Sequence, residues 1–264
     1  MKGLNMTEER LKLVQPILDT FVNDDIKEFT MVLLDNIPEY IWHVGASSTG
    51  KYHPAYSLGE GGLMRHQIAV VRFINFFFDL EQYNSKLTSR EMDLMRLSGL
   101  VHDGMKSGNQ EDYEKSKYTK FDHPIQMANL IRSYDGKYLN HDEIEMVAET
   151  ISKHMGAWNT DKKSSAVLPK PNDKFSRMLH VADYLASRKC ITMDFDNYEA
   201  PKVELPDVNT YIFPLKKHAG ELLIDVFKND RPYLQWVKEN VRKEPLISLI
   251  KLLEEQEKKQ EEMI

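Results

Sequence analysis

At 264 residues, 41% of them hydrophobic and 29% charged, the chain has the composition of an ordinary globular protein. It is long enough to bury a substantial core as one domain, or as one domain with a helical extension. A formal net charge of -6 argues against a whole-surface grip on nucleic acid, though not against a local basic pocket, and the single cysteine, Cys190, excludes an intramolecular disulfide framework.

The opening MKGLNMTEERLKLVQ is charged and lacks the apolar stretch of a secretory leader. With one cysteine suited to a reducing compartment, a cytoplasmic enzyme is the expectation. Thr7 predicts the cap of a first helix running toward Val22, and Asp24–Asp25 start a second that stops near Pro38. HVGASSTGKYHPAYSLGEGG then reads as a long ordered loop, of a length more often functional than idle. Its Gly59–Gly62 run is no phosphate loop, because the Gly-Lys-Ser/Thr ending is missing. A long helix follows from about Leu63 to Gln82, with Leu63, His66, Val70, Phe73, Ile74 and Phe77 on one face. The most apolar segment, Ile68 to Phe78, is broken by Arg72 and Asn75 and is too short to span a bilayer.

Thr88 and Glu91 predict a capping box for a helix carrying Leu94, Ser98, Val101 and His102 on one side and ending at Gly104. Asp122 predicts the cap of a short helix beginning at His123–Pro124. Asn140 with Glu143 predicts another start, with Ile144, Val147, Ile151 and His154 on one stripe. Asn172 is read as the cap of a helix whose apolar face includes Phe175, Leu179, Ala182 and Ala186. From Ile191 to Leu215 the pattern is ambiguous, since VELP and TYIF read as short strands or as extended chain. The remainder reads as helical and closes on LIKLLEEQEKKQEEM, a solvated, fraying helix. Without a repeat or low-complexity linker, residues 1–264 read as one all-α domain, with 190–264 as a C-terminal extension.

The chemistry is carried by ionisable groups in apolar places. His66, His154 and Asp183 each fall on the apolar stripe of a predicted helix, where burial is costly without a partner. The doublet His102–Asp103 closes another apolar helix. A shared cation would resolve all of these groups at once, and imidazole with carboxylate suits Mn, Fe, Zn, Ni or Mg.

The order His66, His102–Asp103, Asp183 resembles the H…HD…D signature of HD-domain metal-dependent phosphohydrolases. The surrounding GEGGLMRHQIAVV, SGLVHDGMK and HVADYLASRK are similar to that family over about Trp42 to Lys189. KYHPAYSLGEGGLMRH looks like the HD domain of bacterial 3′-to-5′ exoribonucleases, although their nucleic-acid-binding OB module has no counterpart here. His123 in FDHPIQMANLI and His154 in ISKHMGAW extend the likeness to HD proteins that bind two metals. The resemblance implies an HD helical bundle with additional N- and C-terminal helices. It also implies two divalent ions: His66, His102 and Asp183 on one, His123 and His154 on the other, and Asp103 bridging. A metal-activated hydroxide would then attack phosphorus in line.

Asp103 and Lys106 are the expected catalytic residues, Lys106 by placing its ammonium near a phosphate oxygen. Arg188, Lys51 and His53 join Lys106 as expected substrate-binding residues. Lys162, Lys163, Lys170 and Lys174 read as a solvated loop, and His43, His141, His180 and His218 carry no ligand pattern. The expected substrate is a nucleotide or short oligonucleotide, with neither membrane nor long-duplex binding. Two rivals share the pattern: a di-iron oxygenase on the same fold, and a non-catalytic nucleotide-binding regulatory module.

Overall fold

The computed structural model describes residues 6–47, 53–84, 86–162, 164–195, 206–241 and 245–261. Among them the protein is all-helical, with isolated bridges at Thr160–Val167 and Ile212–Leu222 as its only β pairings. No helix there is long and apolar enough to cross a membrane. The chain divides into two compact units, residues 1–201 and 202–264, where the sequence reads one domain with an extension from 190. Each unit has its own apolar cluster.

The first unit opens with α1 (Glu8–Leu18), capped by the Thr7 hydroxyl, which accepts from the Arg10 amide at 3.3 Å. The helix stops short of Val22 because two amides there are taken elsewhere. Val22 and Asn23 donate to Oδ2 of Asp93, at 2.9 and 2.7 Å, across some seventy residues of sequence. α2 (Asp24–Asn36) ends as Ile37 turns extended before Pro38, the conformation that a following proline favours.

The predicted long helix is α3 (Gly62–Phe78) followed by a separate short α4 (Glu81–Asn84). The break comes where Asp79 and Leu80 donate to Phe76 and Phe77, tightening the last turn to i→i−3 bonds. Leu63, Met64, Ile68, Val70, Val71 and Ile74 are all buried, so α3 is the central rod of the unit.

α5 (Ser89–Val101) begins with the expected Thr88/Glu91 capping box and packs on α3 through Gly99. A Cβ at Gly99 would sit 2.6 Å from the Ile74 side chain, so the close approach of the two helices requires glycine. α6 (Gln110–Lys115) has its own capping box, Asn109 with Asp112, and was not anticipated. α7 (His123–Arg132) starts as expected at His123–Pro124, but the Asp122 side chain makes no capping bond; it accepts from Gln126 instead.

α8 (His141–Ser152) keeps the Asn140/Glu143 box and ends two residues before His154. α9 (Lys174–Ala186) is capped by Asp173 rather than Asn172. The Asp173 carboxylate accepts from the Phe175 and Ser176 amides, and the Asp173 amide donates back to the Ser176 hydroxyl at 3.4 Å, so position 173 completes the reciprocal pair. α3 packs against α5 and α9, α5 against α8, and α7 against α8.

The second unit contains α10 (Leu223–Asn229), α11 (Arg231–Asn240) and α12 (Leu246–Glu261). The TYIF segment is extended chain with a single bridge at Ile212, and residues 203–205 of VELP lie outside the described residues. α12 is not simply a solvated helix: Leu246, Leu249, Ile250 and Leu253 are buried, and only its charged second half is exposed.

Asp93 is the point where this architecture is most exposed to a single substitution. It is buried, accepts from three donors of the 22–23 turn and pairs with Arg96 at 2.6 Å. Asp93→Ala is expected to cost about 3 kcal/mol, because it strands those donors and the Arg96 charge. Urea denaturation checks this, and a loss under about 1 kcal/mol would show that the turn has another anchor.

Candidate metal centre

Six ionisable side chains converge inside the first unit. His66 comes from the first turns of α3, His102 and Asp103 from the end of α5, and His123 from the first residue of α7. His154 follows the end of α8, and Asp183 projects from the last turn of α9. All are buried except Asp183, whose side chain is 24% exposed at the cavity edge.

The ring orientations follow from local hydrogen bonds. His102 Nδ1 lies 2.9 Å from the Gly99 carbonyl, His123 Nδ1 2.6 Å from Lys120 and His154 Nδ1 2.8 Å from Ile151. A carbonyl can only accept, so in each ring Nδ1–H donates and Nε2 keeps its lone pair. Those Nε2 atoms meet the carboxylates. His66 Nε2 is 3.0 Å and His102 Nε2 3.8 Å from Asp183 Oδ1. Asp103 Oδ2 is 3.6 Å from His102 Nε2 and contacts the Lys106 ammonium, while Oδ1 is 2.9 Å from His123 and 3.8 Å from His154.

Burial holds the His102 imidazole below its ordinary pKa and pushes His154 down to about 3, so both rings are neutral near pH 7. For Asp103 burial acts upward, but Lys106, His102 and His123 outweigh it and hold the carboxyl well below the usual carboxylate range. Asp183 is likewise lowered against the effect of burial, by its hydrogen bond from His66 and by His102. Neutral imidazoles beside ionised carboxylates are the protonation states that metal ligation requires.

The donor set also passes a stricter test. His66 Nδ1, His102 Nε2, His123 Nε2 and Asp103 Oδ1 are buried with no hydrogen bond of acceptable geometry. Buried polar atoms are rarely left so, and a cation would satisfy three of these four by direct ligation. By geometry alone, two groups could each hold a metal: His66, His102 and Asp183, and His102, Asp103 and His154. His123 falls outside both groups, although its Nε2 is 2.9 Å from Asp103.

Residues 65–188 match the HD-domain family. This segment is similar to HD domains. The match begins one residue before His66 and ends five after Asp183, enclosing all six convergent side chains. It supports the HD superfamily of metal-dependent phosphohydrolases. No curated protein and no solved structure matches the chain significantly.

A cavity of about 490 Å³ opens over the cluster. His53, Lys106 and Arg188 line it, as the sequence reading expects of substrate-binding residues; Lys51 lies outside the described residues. The His53 ring is 5.5 Å from that of His66, and burial, with the Lys106 ammonium nearby, pushes its pKa down to about 3. Arg188 is held by the Tyr184 carbonyl and the Ser187 hydroxyl. Lys162, Lys170 and Lys174 do not line the cavity; Lys174 pairs with Glu91.

Two features of the site carry no signal in the sequence. Trp158 and Tyr184 line the cavity, one four residues after His154 and the other directly after Asp183. His180, which has no ligand pattern, donates from Nδ1 to the His154 carbonyl at 2.8 Å and so positions that histidine. Its ring lies across Gly156, whose φ is +58°; a Cβ there would be 2.1 Å from His180 Cε1. Gly156→Ala is therefore expected to destabilise the protein by about 1–3 kcal/mol, from backbone strain together with the displaced ring. In a thermal-melt double-mutant cycle, adding His180→Ala should recover part of that loss. Strict additivity would show that the contact is not the cause.

Proposed function

We propose that this protein is a metal-dependent phosphoric-ester hydrolase acting on nucleotides or short oligonucleotides, with two divalent ions held by the HD-domain cluster. The Asp103 carboxylate carries this reading. Its Oδ2 faces His102 and Lys106 and its Oδ1 faces His123 and His154, so each oxygen has its own set of partners. Such a carboxylate is placed as a bridging ligand is. His66, His102 and Asp183 would then hold one ion and His123 and His154 the other, and the mixed donor set suits Mn, Fe, Ni, Zn or Mg.

When bound, such a pair lowers the pKa of a water and polarises phosphoryl oxygens. The chain's own residues supply the remainder. Backbone carbonyls fix three imidazole tautomers and aim Nε2 inward. Lys106 lines the cavity beside Asp103 and brings a positive charge to the non-bridging oxygens of a substrate phosphate. His53 and Arg188 form walls against which a phosphorylated ligand is held.

The cavity volume falls within the ~300–1,000 Å³ of small-molecule sites. Its lining cations, Lys106 and Arg188, are few and local, whereas long polyanions need a broader basic track. These features favour a small or short substrate over a long duplex. The single cysteine, exposed and free, suits the reducing cytoplasm, where we place the activity.

Elemental analysis of protein purified without a metal-affinity column should give about two divalent ions per chain. Asp103→Ala should lose bound metal and all hydrolysis of a panel of mononucleotides, dinucleotides and short strands. His154→Ala should lose about one ion. Full metal content and turnover in Asp103→Ala would overturn the assignment. Inactivity on the panel, with dioxygen uptake by the iron form, would transfer the same ligands to a di-iron oxygenase.

Lys106→Ala separates charge stabilisation from metal binding. It should keep its ions and its fold while kcat falls by ~10²–10³, the usual cost of one lost electrostatic contact to a transition state. An unchanged kcat on the preferred substrate removes Lys106 from the mechanism.

A further inference from the structure

One wall of the cavity carries two exposed aromatic rings that the chemistry described so far does not use. Trp158 and Tyr184 line it next to Asp183, beside Arg188. Trp158 is 52% exposed and Tyr184 40%, although each has an apolar body whose burial would be favourable. Exposed aromatic surface grouped at the mouth of a polar cavity is a mark of ligand contact more than of core packing.

The three groups form a stack. The Trp158 and Tyr184 rings lie within 14° of parallel with centroids 5.8 Å apart, and the Arg188 guanidinium carbon is 4.2 Å from the Tyr184 ring centre. Arg188 donates from Nε to the Tyr184 carbonyl and from Nη2 to the Ser187 hydroxyl at 2.7 Å, which fixes its plane. The stack is also tied to the cluster. Trp158 follows His154 in one short turn pinned by His180, and Tyr184 is the neighbour of Asp183 on α9. Any ligand lying on the aromatic face is therefore held at a set position relative to Asp103.

A ligand that fits both features joins a flat aromatic group to a phosphate. We propose that Trp158 and Tyr184, backed by Arg188, form a shelf that stacks the nucleobase of the substrate while its phosphoester lies over the histidine–aspartate cluster. Every base has a π-face, so the shelf selects base-bearing phosphates over sugar phosphates by stacking, which is tolerant of base identity. It contributes binding common to ground and transition states, so its loss raises KM and leaves kcat nearly unchanged.

This inference rests on the phosphohydrolase reading for its phosphate, and the experiment separates the two. Manganese-loaded wild-type protein, Trp158→Ala and Trp158→Phe are titrated with adenosine 5′-monophosphate and with ribose 5-phosphate, following both binding and phosphate release. The wild type should bind the nucleotide about 10- to 100-fold more tightly than the sugar phosphate. Trp158→Ala should abolish that preference by weakening only the nucleotide, and Trp158→Phe should restore most of it. Thermal melts of the variants should match the wild type, because Trp158 is half exposed. Equal wild-type binding of the two ligands, or an equal loss of both in Trp158→Ala, overturns the shelf. Stacked binding with neither phosphate release from the monophosphate nor cleavage of a dinucleotide supports the shelf and sinks the hydrolase reading.

Discussion

The first unit is organised around one ionised, buried carboxylate. Taking the charge of Asp103 out of water costs several kcal/mol, and that cost is offset only by groups brought to it from other elements. Lys106 comes from the next turn, His102 from the residue before, His123 from α7 and His154 from beyond α8. Each of three imidazoles is steadied by the carbonyl three residues earlier in its own chain. At α5 and α8 these carbonyls belong to the last helical turn, and that of Ile151 also accepts from the His154 amide at 3.2 Å. The same hydrogen bonds thus aim two ligating atoms from two helix ends. They also bring two helix C-termini, the negative ends of their dipoles, to the place where a cation would sit.

Local chemistry was legible in the sequence and long-range chemistry was not. Thr88 with Glu91 and Asn140 with Glu143 are capping boxes written in four consecutive residues, and both form as expected. The end of α1 depends on Asp93, some seventy residues away, and no local pattern reports it. α6 buries no residue and therefore has no apolar period to read, although its Asn109/Asp112 box lies in plain sight. At α9 two neighbouring residues could cap, and Ser176 decides between them by completing the pair with Asp173. α12 carries Leu246, Leu249, Ile250 and Leu253 at helical core spacing, but its run of charge dominates the reading.

The cluster itself was legible for a related reason. Ionisable residues on apolar stripes are anomalies that a single helix cannot resolve, and His66, His154 and Asp183 stand out on that ground alone. The residues that complete the site obey ordinary rules and give no such signal. Trp158 and Tyr184 are exposed aromatics, common enough singly, and their meaning lies in being stacked at one cavity mouth. His180 faces the His154 backbone across twenty-six residues of sequence, a relation that only the packing of α9 creates.

Charge inside the cavity bears on what the cluster can attract. Asp103 and Asp183 are held ionised, and the lining cations are Lys106 and Arg188. Two negative and two positive groups cancel formally, and the imidazoles of His102 and His154 are neutral near pH 7. Arg188 is spent in part on Tyr184 and Ser187, and Lys106 on Asp103. The side chains alone therefore offer little net field to a phosphate, on a chain whose overall charge is -6. Divalent ions on the cluster would reverse that balance, making the floor of the cavity strongly positive on a chain whose net charge is negative. The same ions would then both activate the nucleophile and provide most of the attraction for the substrate. In that arrangement the aromatic wall is left to distinguish one phosphate ester from another.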